Sequence, residues 1–156
     1  MTLLEKGQVG AQASATNFGN LRLHGRSARQ YPLSIRAQEL WEAYETLTGE
    51  GCEIIRTGHL YFAGGPRGET QLRKDVETAT RFGVESQLLE GRALRDRFGF
   101  LSPRIRLAAF SPRSAVANPR LSTPPVARAL ARAGGTVIEG CEIAGFELTA
   151  SGFAVT

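Results

Sequence analysis

Residues 119–138 read PRLSTPPVARALARAGGTVI, and their order decides the fold. Pro119 stands where a first-turn proline belongs, since its missing N–H would find no helical partner there. Leu121, Val126, Leu130 and Ala133 continue a helix up to Gly134-Gly135. Thr136–Ile138 then reads as a buried, β-branched strand. Helix, paired glycines, buried strand is the order in which a crossover feeds a parallel sheet. Residues 143–148 and 153–155 follow as two more strands, joined at Ala150-Ser151-Gly152 as a hairpin.

The start of the chain answers the end. Thr2–Leu4 is a short apolar run closed by Glu5, Lys6 and Gly7, the end of a strand. Residues 8–26 are small and polar with no period, either a flexible loop or backbone lying close against something flat. Ile35, Leu40, Trp41, Tyr44 and Leu47 recur at helical spacing and predict an amphipathic helix over 34–48, stopped by Gly49. A strand over 52–63 with a kink at Gly58 comes next, then a turn at Gly64-Gly65-Pro66. Helices are expected over 69–82, with Gly83 as the stop, and over 91–98; residues 105–118 read as an irregular strand region.

The 156 residues are 42% hydrophobic and 22% charged, enough for one domain with a core and too apolar for wholesale disorder. No apolar run approaches the roughly 20 residues of a transmembrane helix. The N-terminus lacks the pattern of a secretory signal, so a cytoplasmic location is expected. A net charge of +4 raises nucleic acid as a partner. Against it, the cations are almost all arginine, scattered among glutamates, with Lys6 and Lys74 the two lysines and no recognition signature present. A solvated surface is the preferred reading. Cys52 and Cys141 form no metal or redox motif and are expected as buried small side chains. His24 and His59 stand apart from each other and from carboxylate clusters, so no metal site is expected.

Taken in order, these segments resemble the flavoprotein superfamily of D-amino-acid oxidase, glycine oxidase and sarcosine oxidase. Thr2–Leu4 with Glu5, Lys6 and Gly7 matches the family's second dinucleotide-fold strand, whose terminal acid accepts hydrogen bonds from the adenosine ribose. A carboxylate is acceptor-only and suits two vicinal hydroxyls. Residues 12–22 resemble the small-residue stretch that passes the flavin ring, which carries over Ser14, Asn17, Gly19 and Asn20 as cofactor contacts. Arg22 matches a basic position near flavin and substrate, with a surface salt bridge as its ordinary alternative. Asn118-Pro119 and the helix and strand that follow resemble the return to the cofactor sheet, and Ile143 matches an adenine-contacting position that acts through its backbone. Residues 56–62 resemble the opening strand of the substrate domain, where His59 and Tyr61 would face substrate.

The resemblance implies an α/β fold: a partial FAD-binding, Rossmann-like domain from residues 1–50 and 113–156, with an inserted α+β substrate domain over 51–112. It implies FAD as cofactor, a small amine or amino-acid substrate, hydride transfer to flavin N5 and an imine product. It also implies an internal portion of such an enzyme. A GxGxxG loop is expected some 20 residues before Glu5, and none lies in the chain. The 156 residues alone are therefore expected to hold FAD weakly. A non-catalytic interaction module derived from the family is the alternative, and a homo-oligomer or a partner subunit stays open.

Overall fold

The computed structural model describes residues 1–156. It resolves two compact units, the first built from residues 1–19, 44–53 and 118–156, the second from 20–43 and 54–117. Residues 20–43, grouped above with the opening segment, thus cluster with the second unit.

In chain order the elements are β1 (Thr2–Leu4), β2 (Asn20–Leu21), α1 (Tyr31–Glu42), α2 (Tyr44–Thr48), β3 (His59–Ala63), α3 (Pro66–Arg81), β4 (Gln87–Glu90) and α4 (Gly91–Arg97). They continue with β5 (Leu107–Ser111), β6 (Ala115–Val116), α5 (Pro119–Arg132), β7 (Thr136–Ile138), β8 (Phe146–Thr149) and β9 (Gly152–Val155).

The first unit turns on α5. The Asn118 side chain accepts from Arg120 N at 3.1 Å, and Pro119 follows in the first turn. Pro124 and Pro125 lie inside the helix, so two interior N–H donors are absent. At the other end Gly134 takes φ +84. Its N–H reaches Ala131 O at 3.0 Å, and the Gly135 N–H reaches Leu130 O at 2.9 Å. This is the Schellman arrangement, which satisfies the last carbonyls and redirects the chain. β7 starts one residue later and pairs parallel with β1, Thr2 opposite Thr136 and Leu4 opposite Ile138. The crossover to a parallel strand is therefore present. The expectation of a buried strand is corrected: Thr136 and Ile138 are exposed and Val137 is half-buried, because the two-stranded sheet has no cover on both faces. β8 and β9 form the expected hairpin, with Phe146 opposite Val155 and Leu148 opposite Phe153.

The second unit centres on β5, whose five residues are all buried in the middle of an antiparallel sheet of order β3-β5-β4. Leu107 and Ala109 pack with Ala63 and with Leu72 and Val76 of α3, while Tyr61 closes the edge of the cluster. On the other face the Arg97 guanidinium lies 4.1 Å from the centre of the Phe110 ring, and Phe98 packs beside that ring at 5.5 Å. A second cluster joins Leu23, Tyr31, Ala79 and Val84, with Ile35 against it. Burial of one such Leu or Val side chain contributes about 1.5–3 kcal/mol.

Several boundaries move. The helix expected over 34–48 starts at Tyr31 and breaks at Ala43 into α1 and α2. Leu40 and Leu47 point outward; the buried residues of α1 are Tyr31 and Gln38. Gln38 takes an interior place because its amide donates to Arg113 O and to the Glu42 carboxylate, both at 3.2 Å. The strand expected over 52–63 shortens to His59–Ala63, since Gly58 adopts φ +68 and Ile55 makes a single bridge to Val116. β4 was not expected.

Candidate functional site

Parallel strands present their ligand sites at their carboxyl ends, where the peptide units and following loops converge. At that end of β1 and β7 the chain brings two candidate segments together. Gly140 N donates to Gly7 O at 3.0 Å, Cys141 N to Glu5 O at 2.9 Å, and the Lys6 ammonium meets the Glu142 carboxylate at 2.6 Å. Glu5, Lys6 and the Gly140–Glu142 segment that leads to Ile143 therefore share one end of the sheet. One carboxylate oxygen of the half-buried Glu5 accepts from Gly7 N at 2.8 Å, and its other oxygen has no partner in the chain. That free acceptor fits the hydroxyl donors of an adenosine ribose. Lys6 makes one ion pair with Glu142 across an exposed surface, a contact worth about 0–1 kcal/mol.

The loop over 8–19 is ordered by its own short contacts. Residues 13–16 form a 3₁₀ turn. The Asn17 amide donates to Ser14 O at 2.5 Å and its oxygen accepts from Gly19 N at 2.7 Å. Gly19 is buried at φ +64, a conformation that favours glycine. Ser14 and Asn17 thus shape the backbone, and Phe18, between Asn17 and Gly19, is 98% exposed.

The remaining candidates lie in the second unit. Asn20 pairs with Val116 where β2 meets β6. Arg22 makes no salt bridge. Its guanidinium lies 5.5 Å from the centre of the Tyr61 ring, and burial followed by Arg26 nearby lowers its pKa.

The reading of His24 and His59 as isolated is overturned. His24 Nε2 lies 3.0 Å from His59 Nδ1, and His24 Nδ1 lies 3.1 Å from Ser86 Oγ. Tyr61 packs on both rings, at 4.9 and 4.8 Å between centres. The close fit depends on Gly25, where a Cβ would come within 2.4 Å of the Tyr61 ring. His24 is 2% exposed; burial above all, then His59 and Arg22, depresses its pKa to about 4. Burial and then Arg22 lower His59 as well. Both rings are neutral at neutral pH.

The cysteines divide. Cys52 is buried beside Tyr44, whose pKa is pushed up to about 12 by burial first and Cys52 next, while its hydroxyl donates to Ser122 O at 2.6 Å. Cys141 is half-buried, unlike the expectation. Ser86 was not singled out in the sequence, and no local pattern marks it.

A parallel pair with an acid at its carboxyl end, in a chain that also holds an antiparallel α+β unit, fits a class: the α/β fold of FAD-dependent oxidoreductases. The chain belongs to the FAD dependent oxidoreductase family, whose model matches residues 1–156 throughout. It is 25% identical over 137 residues to N-methyl-L-tryptophan oxidase of Yersinia pestis, covering 85% of this chain and 35% of that enzyme. Its fold matches L-amino acid deaminase from Proteus myxofaciens with a TM-score of 0.87 at 21% identity, over 99% of this chain and 36% of that one. Glycine oxidase from Geobacillus kaustophilus matches with a TM-score of 0.84 at 22% identity, over 99% and 44%. The chain thus spans about a third of the length of the curated relatives it matches. No helix is long and apolar enough to cross a membrane.

Proposed function

We propose that the whole protein is an FAD-dependent oxidoreductase acting on the C–N bond of an amino acid or related amine. The observation that carries this reading is the meeting of Glu5 and Lys6 with Cys141 and Glu142, the residues just before Ile143, at the carboxyl end of β1 and β7, in a chain that matches the family along its length. Glu5 would hold the adenosine ribose through its free carboxylate oxygen, and the Ile143 backbone would meet the adenine. The loop bearing Ser14, Asn17 and Gly19, continued by Asn20, would pass the flavin; the bare Phe18 ring in that loop suits a site awaiting a flat cover. Arg22, His59 and Tyr61 would line the substrate side. Bound FAD supplies the hydride acceptor for an amine carbon, and this chain's residues orient, desolvate and deprotonate the substrate. The relatives' names, oxidases and deaminases of amino acids, support that substrate class.

The assignment of residues 1–50 and 113–156 to the cofactor side, and of 51–112 to the substrate side, is part of this proposal. So is weak FAD retention by the 156 residues alone, because no GxGxxG helix start lies among them to cradle the pyrophosphate. A second reading, a non-catalytic module completed by another chain, draws on the bare apolar face of β8 and β9, where Phe146, Leu148 and Phe153 are all more than half exposed.

Anaerobic addition of N-methyl-L-tryptophan or glycine to the FAD-supplemented protein, in its longest natural form, is expected to bleach the visible flavin band. Glu5→Gln is expected to weaken FAD binding about tenfold, the value of one charge-assisted hydrogen bond. A longest form that carries FAD and stays unbleached by every amino acid and amine would overturn the first reading.

A further inference from the structure

His24 carries two hydrogen-bonding nitrogens into the interior, where an apolar side chain would pack at lower cost. Both are used. Ser86 Oγ stands on one side at 3.1 Å and His59 Nδ1 on the other at 3.0 Å. The two outer members are only half-buried. His59 Nε2 has no partner in the chain and is not a buried atom. A continuous series therefore runs from one accessible nitrogen, through a buried ring, to the hydroxyl of a half-buried serine.

Two neutral imidazoles in this series admit two proton arrangements. In one, His59 Nδ1–H donates to His24 Nε2 and His24 Nδ1–H donates to Ser86, leaving a lone pair on His59 Nε2. In the other every bond reverses: Ser86 donates to His24 Nδ1, His24 Nε2–H donates to His59 Nδ1, and His59 Nε2 carries hydrogen. A mixed state would set two lone pairs or two hydrogens face to face. The tautomers of the two rings are thus locked together. Arg22, from the segment after β2, with Arg26 beside it, and Tyr61, from β3, are the charged and titratable groups at the pair, and no carboxylate forms an ion pair there. Lasting charge on either ring is disfavoured by burial and by Arg22, so a proton taken up at one end has to leave at the other.

We propose that Ser86, His24 and His59 form a proton relay, with His24 the positioning residue that leaves His59 Nε2 free to take a proton from a substrate ammonium. The relay rests on the reading that the whole protein oxidises amines, since the amine must lose its extra proton before its carbon can lose hydride. The step balances. A substrate N–H bond breaks as His59 Nε2–H forms; His59 Nδ1–H passes to His24 Nε2, and His24 Nδ1–H passes to Ser86. The original Ser86 hydroxyl proton goes to solvent, and both rings end neutral in the reversed arrangement.

Long-range ¹H–¹⁵N NMR on the full chain at neutral pH reads the tautomers directly. The relay requires both rings as Nδ1–H in the resting protein. His24→Phe is expected to return His59 to mainly Nε2–H, the ordinary preference of a free imidazole, and His24→Gln, which keeps an acceptor, to restore Nδ1–H. Ser86→Ala is expected to mix the tautomers of His24 and, through the lock, those of His59, which keeps the test open where the phenylalanine variant does not fold. Resting His59 as Nε2–H, or an unchanged His59 tautomer in both His24→Phe and Ser86→Ala, overturns the relay. In the flavin-loaded protein, His24→Phe is expected to lower kcat/KM for N-methyl-L-tryptophan by about 10²-fold, at the lower end for general base catalysis, with loss concentrated on the acidic limb of its pH profile. Turnover unchanged by that variant also overturns the relay, whereas absence of turnover in the wild type sinks the amine reading and leaves the tautomer result to decide the relay.

Discussion

The two units solve the burial problem differently. In the second, β5 is flanked by antiparallel partners and both its faces are covered by residues close in sequence, Leu72 and Val76 on one side, Arg97 and Phe98 on the other. In the first, β1 and β7 are parallel and mostly exposed, and β8 and β9 are exposed along their whole length. An antiparallel sheet can be completed by local hairpins and one helix, whereas a parallel one needs layers on both faces. The stability of this chain should therefore reside in the second unit.

The largest expected effect is Leu107→Ala, which opens a cavity under α3 and is expected to cost about 2–5 kcal/mol. Leu148→Ala in the first unit should change stability by less than about 0.5 kcal/mol. Urea unfolding of the two variants checks the contrast, and equal losses would break it. Acid is expected to act through His24. Its folded pKa of about 4 lies below the ordinary 6.5, so the unfolded chain binds the proton first. Stability is full above about pH 6.5 and falls as the pH drops toward 4, by about 3 kcal/mol in all. Thermal midpoints measured across that range should fall with acid in the wild type and less so in His24→Phe.

Gly58→Ala and Gly134→Ala compare two left-handed glycines. A Cβ at Gly58 would come 2.3 Å from the Phe110 ring, while one at Gly134 meets open space. The first is expected to cost about 2–4 kcal/mol, overpacking added to backbone strain, and the second about 1 kcal/mol. Asn118→Ala should remove the α5 cap for about 1 kcal/mol, read in the same unfolding assay.

The punctuation of the sequence was legible where a single residue decides the backbone. Pro119, Gly134-Gly135 and Gly83 fix helix ends by missing donors or left-handed φ, and their helices end where expected, within a residue or two. The parallel return of β7 followed from the same signals. The amphipathic reading over 34–48 held for Ile35 and Tyr44 and missed at Leu40 and Leu47, because periodicity records apolar residues and not what satisfies a loop carbonyl; Gln38 holds an interior place for that reason. β4 is four residues, Gln-Leu-Leu-Glu, too short to show a period. The carboxyl-end meeting of Glu5 with the segment before Ile143 was legible only through the family resemblance. His24 and His59 are 35 positions apart, and no sequence pattern brings them together. The one local hint is that each adjoins a glycine, Gly25 or Gly58, and both glycines take positive φ.

The pairing of Thr2 with Thr136 also sets an order in time. The ends of that sheet are separated by nearly the whole chain, whereas β3 and β5 are linked by a far shorter segment. Closing the longer loop costs about 1 kcal/mol more entropy, and its reward is a narrow, exposed pair of strands. The second unit should therefore acquire protected amides first, and β1 should gain protection late. Pulse-labelled hydrogen exchange would show Leu107–Ser111 protected before Thr136–Ile138, and the reverse order would mean that the crossover nucleates instead. On that timetable, a nascent chain exposes its Glu5 acid and its apolar β1 edge longest, in the interval when any other strand competing for that edge has its best chance.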